Sequence, residues 1–251
     1  MLFSVWTAQS HRPTRDLDLL GLGEASPEEL RATLTEICTT PVEPDGLTFH
    51  PNAMDLSEIR EEQEYPGWRA KLLVTLQNAR IPLTIDVGFG DAVIPNSAEP
   101  YPTLLDFEAP RIRMYPKEFV IAEKLEAMVS LGIRNSRMKD FFDLWFLSQQ
   151  FTFSGTALAE AISRTFARRK TALPQDVPVA LSSEFAERVK GIRLWETFLG
   201  RSGFEVGSYE FSIILGGLNG FVMPIIRAVS RAKPFDFVWP PGGPWAQKGS
   251  G

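Results

Sequence analysis

Three aspartates in the first third of the chain have the type and spacing needed for metal-assisted phosphoryl chemistry. Polar and apolar residues alternate along the segment DLDLL at 16–20, which predicts a half-buried strand. Because alternate residues of a strand share a face, Thr14, Asp16 and Asp18 are expected on one side of that strand. The same rule places Asp86, in the strand TIDVG, on the polar face of a second strand.

Carboxylates that meet on adjacent strands repel one another unless a cation lies among them. Hard oxygen ligands suit Mg²⁺, and two such ions can align an attacking hydroxyl and polarise a triphosphate. The pattern thus indicates phosphoryl or nucleotidyl transfer. The alternative is that Asp16 and Asp18 lie on a solvated sheet face and that Asp86 merely begins a turn.

A second polar group lies on predicted helices. Lys124 interrupts the apolar segment VIAEKLEAMV, and Asp140 and Asp143 are three residues apart on one face of the next helix. Asp143 lies inside FFDLWFL, where a buried carboxylate needs a partner. That partner is either Lys139, one turn back, or Lys124 across the helix interface. The functional alternative is that Lys124 contacts a triphosphate while Asp140 or Asp143 orients the lysine.

The N-terminal half reads as a strand, a helix and then a run of mostly antiparallel strands. Ser26 as N-cap, Pro27 in the first turn and Glu29 completing a capping box predict where the helix begins. The further predicted strands are LTFH at 47–50, KLLVTLQ at 71–77 and IPLTIDVGF at 81–89, with Asn78-Ala79-Arg80 as a hairpin loop.

The C-terminal half reads as helical. The predicted helices are KEFVIAEKLEAMVSLG, RMKDFFDLWFLSQQ, GTALAEAISRTFARRK and FAERVKGIRLWETFL, the last over 185–199. The uncharged stretch at 211–226 is interrupted by Gly and Pro and is short for a membrane span, so we expect it in the core. From Pro240 the chain reads as a flexible tail.

Composition restricts the class of protein. The chain has 251 residues, a net charge of −5 and a pI near 5.3, which argues against a non-specific nucleic-acid coat. One cysteine, Cys38, fits a reducing cytoplasm, and His11 and His50 are too few for a His-rich zinc site. Basic residues concentrate in 111–139 and again in 164–170, and they form either solvated helix faces or the flanks of a site for a polyanion.

The segments HRPTRDLDLLG, TIDVGFGD, YPKEFVIAEKLEAMVSLG and RMKDFFDLWFL, in this order and spacing, resemble the AbiEii/AbiGii nucleotidyltransferase toxins of type IV toxin–antitoxin systems. The likeness covers about residues 1–234. It implies an α+β fold: a polymerase-β-like nucleotidyltransferase core with a mixed or antiparallel sheet, over 1–110. A helical C-terminal domain over 111–239 and a flexible tail over 240–251 would follow.

The resemblance also implies residue roles. Asp16 and Asp18 would bind Mg²⁺ and the nucleoside triphosphate, Asp86 would act as a base or third metal ligand, and Lys124 would contact phosphates. Asp143 is the expected functional aspartate of the KD-x-x-DL block, with Asp140 as the alternative. The residues expected to contribute to cofactor binding are Thr14, Arg15 and Asp140.

The resemblance further implies a toxin that transfers a nucleotide to the 3′ end of tRNA or another RNA acceptor and that an antitoxin partner opposes. The sequence itself, which lacks a signal-peptide pattern and an apolar stretch long enough to span a bilayer, predicts no membrane involvement. The family's Gly-Gly or Gly-Ser motif is expected before residue 1 and is absent from this sequence. The alternative function is therefore a non-catalytic member that binds nucleotide, RNA or antitoxin. A kinase-like phosphotransferase is disfavoured because the sequence lacks G-x-G-x-x-G and H-R-D motifs.

Overall fold

The computed structural model describes residues 16–23, 26–59, 67–89, 98–101, 103, 108–203 and 209–248. The chain divides into two compact units, Met1–Met114 and Tyr115–Gly251. In the described residues the first unit is built around a sheet, and the second consists mostly of helices. The predicted mixture of helices and strands is confirmed.

A mixed sheet forms the centre of the first unit. Its strands are β1 (Asp16–Gly21), β2 (Leu47–Glu58), β3 (Gly67–Leu76) and β4 (Ala79–Phe89). Their spatial order in the described residues is β1-β4-β3-β2, with β1 parallel to β4 and the other two pairs antiparallel. A separate pair consists of the short antiparallel strands β5 (Ala98–Pro100) and β6 (Arg111–Arg113). The predicted strand at 16–20 is therefore present and lies at a described edge of a mixed sheet.

Helix α1 (Pro27–Thr39) connects β1 to the rest of the sheet. As predicted, Ser26 caps its first turn, and the Ser26 hydroxyl accepts a hydrogen bond from the backbone N–H of Glu29 at 3.2 Å. The same hydroxyl donates to the carboxylate of Glu28. Leu30 and Leu34 are the buried residues of this helix.

One face of the sheet packs against α1 and forms the core of the first unit. Ala70 and Leu72 of β3 and Ile85 and Val87 of β4 are buried in one cluster with the α1 leucines. Full burial of a leucine, isoleucine or valine side chain in this cluster contributes roughly 1.5–3 kcal/mol. Because side chains alternate along a strand, the residues between them, including Asp86, lie on the opposite face.

The turn between β3 and β4 consists of Gln77 and Asn78, with Gln77 at φ +51°. The sequence predicts a loop over 78–80, but Ala79 and Arg80 already pair with Leu76 and Thr75. The prediction was wrong because Ala79 and Arg80 carry no strand signal of their own, and only pairing with β3 makes them extended.

Six helices build the second unit in the described residues. They are α2 (Lys117–Leu131), α3 (Met138–Gln150), α4 (Gly155–Arg168), α5 (Ser183–Gly191), α6 (Leu194–Ser202) and α7 (Phe211–Ser230). The single helix predicted over 185–199 is two helices, because the chain turns at Ile192 and Arg193. Arg193 adopts a left-handed backbone conformation, φ +55°, which no continuous helix contains.

Helix α7 extends four residues beyond the stretch considered in the sequence and is 20 residues long. Among the described residues it is the one helix whose length and composition would allow it to cross a membrane. Nine of its residues are nevertheless buried, and it contacts α3, α4 and α5 of the same unit. The expectation that this stretch contributes to the core fits this packing.

The C-terminal segment packs against the helices, although the sequence predicts a flexible tail from Pro240. Strand β9 (Ala246–Gln247) pairs with β8 (Phe237–Trp239), which pairs with β7 (Phe153–Ser154). The Trp245 ring stacks on Phe221 of α7, and its indole N–H donates to the Phe221 carbonyl at 2.8 Å. A Pro- and Gly-rich composition suggested disorder, whereas the tryptophan supplies enough apolar surface to hold the segment in place.

Candidate active site

Two of the predicted carboxylates occupy neighbouring positions in the sheet of the first unit. In the parallel register of β1 and β4, Asp18 pairs with Asp86, and Asp16, two residues earlier, pairs with Thr84. Residues paired in register present their side chains on the same face, so Asp18 and Asp86 share the face opposite the apolar core. Thr14, Arg15 and the side chain of Asp16 lie outside the described residues.

Arg69 contacts this site, although no sequence motif indicates it. Its Nε donates to Asp86 Oδ1 at 2.7 Å and its Nη2 donates to Asp86 Oδ2 at 2.6 Å. The two residues are direct partners in the antiparallel β3–β4 register. A bidentate guanidinium–carboxylate pair of this kind fixes the orientation of the carboxylate and neutralises its charge.

The signal that could have revealed Arg69 is the position of the hairpin turn. A two-residue turn at 77–78 pairs Arg69 with Asp86. A three-residue loop at 78–80 would instead pair Asp86 with Leu72, which lies on the apolar face, because a shifted register exchanges the faces. The wrongly predicted loop therefore failed to place Arg69 beside Asp86, whereas the observed register does so directly.

The donor chemistry at this face fits a hard divalent cation. Asp18 and Asp86 both offer carboxylate oxygens, and each oxygen of Asp86 keeps a second lone pair beside the one that Arg69 occupies. Within the described side chains no group of three His, Cys, Asp or Glu residues is positioned to hold a metal ion. The third expected ligand, Asp16, is not among those side chains.

The second unit brings together the other three predicted residues. Lys124 of α2 lies between two carboxylates of α3, with its Nζ 2.5 Å from Asp140 Oδ1 and 3.1 Å from Asp143 Oδ2. The two aspartate side chains are 7% and 1% exposed, and that of Lys124 is 18% exposed. The ion pair across the helix interface, one of the alternatives left open by spacing, is therefore present, and it includes both aspartates.

The environment of Lys124 keeps its ammonium charged. Burial by itself lowers the pKa of Lys124, but the charges of Asp143 and Asp140 and their hydrogen bonds act in the opposite direction, and the net effect raises the pKa above the ordinary lysine value. Two carboxylates hold this positively charged side chain in position. The same arrangement also cross-links α2 to α3.

A comparison with protein-family models identifies the family of the chain that carries these groups. The family model described as "Nucleotidyl transferase AbiEii toxin, Type IV TA system" matches residues 1–216. The chain belongs to the AbiEii family. This match covers both the strands that carry Asp18 and Asp86 and the helices that carry Lys124, Asp140 and Asp143.

Two solved structures similar to this AbiEii chain come from Helicobacter pylori. JHP933 is 13% identical, with a TM-score of 0.43 over 88% of this chain and 78% of its own. A proposed nucleotidyltransferase is 12% identical, with a TM-score of 0.47 over 93% of this chain and 87% of its own. A search of curated proteins finds no match.

A third polar group of this AbiEii chain is buried in the second unit and has no counterpart in the sequence predictions. Glu126 of α2 is fully buried, and it accepts hydrogen bonds from Arg169 Nη1 at 2.7 Å and from the Thr171 hydroxyl at 2.5 Å. The Tyr115 hydroxyl donates to Glu123, one turn earlier. Arg169 was expected on a basic surface, but it instead neutralises a buried carboxylate.

Proposed function

We propose that this AbiEii-family chain is a Mg²⁺-dependent nucleotidyltransferase toxin that transfers a nucleotide from a nucleoside triphosphate to an RNA acceptor, with the 3′ end of tRNA as the expected target. The observation that carries the proposal is the register of β1 and β4, which makes Asp18 and Asp86 neighbours on the face opposite the core. The family supplies the reaction class.

Asp18 and Asp86, together with Asp16, would hold the Mg²⁺ through carboxylate oxygens. When bound, the cation would supply charge neutralisation at the phosphate and alignment of the acceptor hydroxyl. Arg69 fixes the rotamer of Asp86 through two hydrogen bonds, so that carboxylate needs little reorganisation before it acts. We therefore assign Arg69 as a positioning residue.

Lys124 would contribute a fixed positive charge toward the phosphates, and Asp140 and Asp143 would position it. Both aspartates contact the lysine. Asp143 is the more buried of the two, so its role is to hold Lys124, whereas Asp140 also contacts a second cation, Arg137. An antitoxin partner follows from the type IV toxin–antitoxin description of the family.

A second candidate function is binding without transfer. The Arg69–Asp86 pair favours it, because a guanidinium that occupies both oxygens of a carboxylate satisfies the charge that a cation would otherwise neutralise. In this alternative the chain binds nucleotide, RNA or an antitoxin, and the face that carries Asp18 and Asp86 is a recognition surface.

A label-transfer assay separates the two functions. The purified chain is incubated with Mg²⁺, total tRNA and each α-labelled nucleoside triphosphate in turn, beside the variants Asp18→Asn and Asp86→Asn. Asp55→Asn is the matched control, since Asp55 is exposed on β2 of the same sheet and pairs in register with Lys71. Label that depends on Asp18 and Asp86 but not on Asp55 supports transfer. If the wild type leaves the RNA unlabelled but still binds nucleotide, the result supports binding without transfer.

A further inference from the structure

Asp140 joins two cations rather than one. Its Oδ1 contacts Lys124 Nζ at 2.5 Å, and its Oδ2 contacts Arg137 Nε at 3.2 Å. Arg137 immediately precedes α3, and its side chain is 54% exposed. A single buried carboxylate thus brings an ammonium and a guanidinium side by side at the surface end of the lysine cluster.

Both cations retain hydrogen-bond donors that the cluster does not use. Asp140 and Asp143 account for two of the three N–H groups of Lys124. Arg137 contacts Asp140 through Nε, and in the described part of the chain its two Nη groups, with four N–H donors, have no hydrogen-bond partner. The fork of Nη donors is the geometry that matches phosphate oxygens.

A second arginine of the same unit shows what an ordinary surface pair looks like. Arg193 immediately precedes α6 and contacts Glu196, three residues on, at 2.5 Å, so it shares the helix position and the spacing of Arg137 and Asp140. Glu196 is 42% exposed and contacts no second cation among the described residues. Asp140 is 7% exposed and also holds Lys124. The Arg137–Asp140 pair therefore differs from the Arg193–Glu196 pair in that its carboxylate is buried and is shared with a second cation, Lys124.

We propose that Arg137 and Lys124 together bind the phosphates of the nucleoside triphosphate, with Asp140 as the carboxylate that fixes both cations. The inference rests on the proposed function for the identity of the substrate. The residues themselves form an oligophosphate site in the second unit, whichever oligophosphate binds there. Arg137 contributes the N–H donors of its two Nη groups, and Lys124 contributes its remaining N–H donor. Asp140 is a positioning residue for both.

The test measures oligophosphate binding apart from transfer. Inorganic triphosphate is titrated by calorimetry into the full chain and into the Arg137→Ala, Arg137→Lys and Arg193→Ala variants. We expect Arg137→Ala to raise Kd about tenfold or more, because it removes charge-assisted hydrogen bonds. The Kd of Arg137→Lys should lie between those of the wild type and Arg137→Ala, since lysine keeps the positive charge but lacks the fork of guanidinium donors. Arg193→Ala, which removes the same charge from an equivalent helix position, should bind like the wild type.

Thermal midpoints are measured on the same samples to separate binding from folding. Arg137 is largely exposed, so we expect its alanine variant to melt close to the wild type. An unchanged Kd for Arg137→Ala overturns the inference, as does a wild-type chain that does not bind triphosphate, or an equal loss in Arg193→Ala. If the alanine variant does not fold, the lysine variant decides: weakened binding supports the inference and wild-type binding refutes it. Label transfer with a wild-type KM in Arg137→Ala would refute the inference while leaving the proposed function intact.

Discussion

Replacing Lys124 by methionine should destabilise the second unit strongly, and by an amount that depends on pH. Methionine keeps the unbranched apolar stem but removes the ammonium from between Asp140 and Asp143. Asp140 retains Arg137 as a counter-ion, so the loss of the ammonium affects mainly Asp143, which is 1% exposed. Breaking a buried ion pair by removal of one partner costs about 3–5 kcal/mol.

Protonation sets an upper limit on this cost. A buried carboxylate that has lost its cation can take up a proton, and protonating an ordinary aspartate costs about 4 kcal/mol at pH 7 and about 1.5 kcal/mol at pH 5. We therefore expect Lys124→Met to lose about 3–4 kcal/mol of unfolding free energy at pH 7 and at most about 1.5 kcal/mol at pH 5. The double variant Lys124→Met/Asp143→Asn should recover most of the loss at pH 7, because the Asp143 charge is removed together with the ammonium that balances it.

At alkaline pH the stabilisation that Lys124 provides decreases as the pH rises. Since the pKa of Lys124 in the folded chain lies above the ordinary value of 10.5, the folded chain holds this proton more tightly than the unfolded chain does. The stabilisation is complete below pH 10.5 and is lost as the pH rises through the folded value. Wild type and Lys124→Met should therefore converge at strongly alkaline pH.

Denaturant unfolding followed by tryptophan fluorescence measures these differences, between pH 5 and 8 for the acid side and above pH 10.5 for the predicted convergence. Lys190→Met is the matched control, because Lys190 is an exposed lysine on α5. A loss below 1 kcal/mol at pH 7, a loss that does not change with pH, or no recovery in the double variant would contradict the role of Lys124 as counter-ion of Asp143. The result also matters for activity assays, since a Lys124 variant must be shown to be folded before its loss of function is interpreted.

Three further predictions follow from single contacts. Asp86→Asn should lose about 0.5–1 kcal/mol of unfolding free energy, because the bidentate Arg69 bond is charge-assisted but partly exposed; an increase in stability would instead indicate that carboxylate repulsion dominates. Arg169→Ala should cost about 3 kcal/mol in a denaturant titration, since Glu126 is fully buried, and a loss below 1 kcal/mol would contradict its role as counter-ion. Trp245→Ala should lower the thermal midpoint by several degrees through loss of aromatic packing, and an unchanged midpoint would mean that the C-terminal segment does not stabilise the fold.

Local signals predicted much of the first unit. The alternation at 16–20, the Ser26 cap and the apolar face of β4 are all present, because each depends on interactions within a few residues. The shared face of Asp18 and Asp86 was predictable from alternation, once the two strands were assumed to be neighbours. Their parallel pairing was not, since nothing local distinguishes parallel from antiparallel neighbours.

The missed residues all depend on contacts distant in sequence. The position of Arg69 beside Asp86 depends on the hairpin register, and the predicted loop of three residues instead of two gave the wrong register. Glu126 and Arg169 are 43 residues apart, so neither predicts the other, and the charge run around 164–170 gave no sign that one of its members is turned inward. The packed position of Trp245 likewise depends on Phe221 of α7, 24 residues earlier.

The central claim is that Asp18 and Asp86 act as one site in nucleotide transfer. The most direct measurement is the α-label transfer to tRNA in the presence of Mg²⁺, compared among the wild type, Asp18→Asn, Asp86→Asn and the Asp55→Asn control, each confirmed to be folded. We expect labelled RNA from the wild type and the control and at least a hundredfold less from either site variant, as for loss of a group that acts in the transition state (~10²-fold or more). Wild-type rates in both site variants would contradict it.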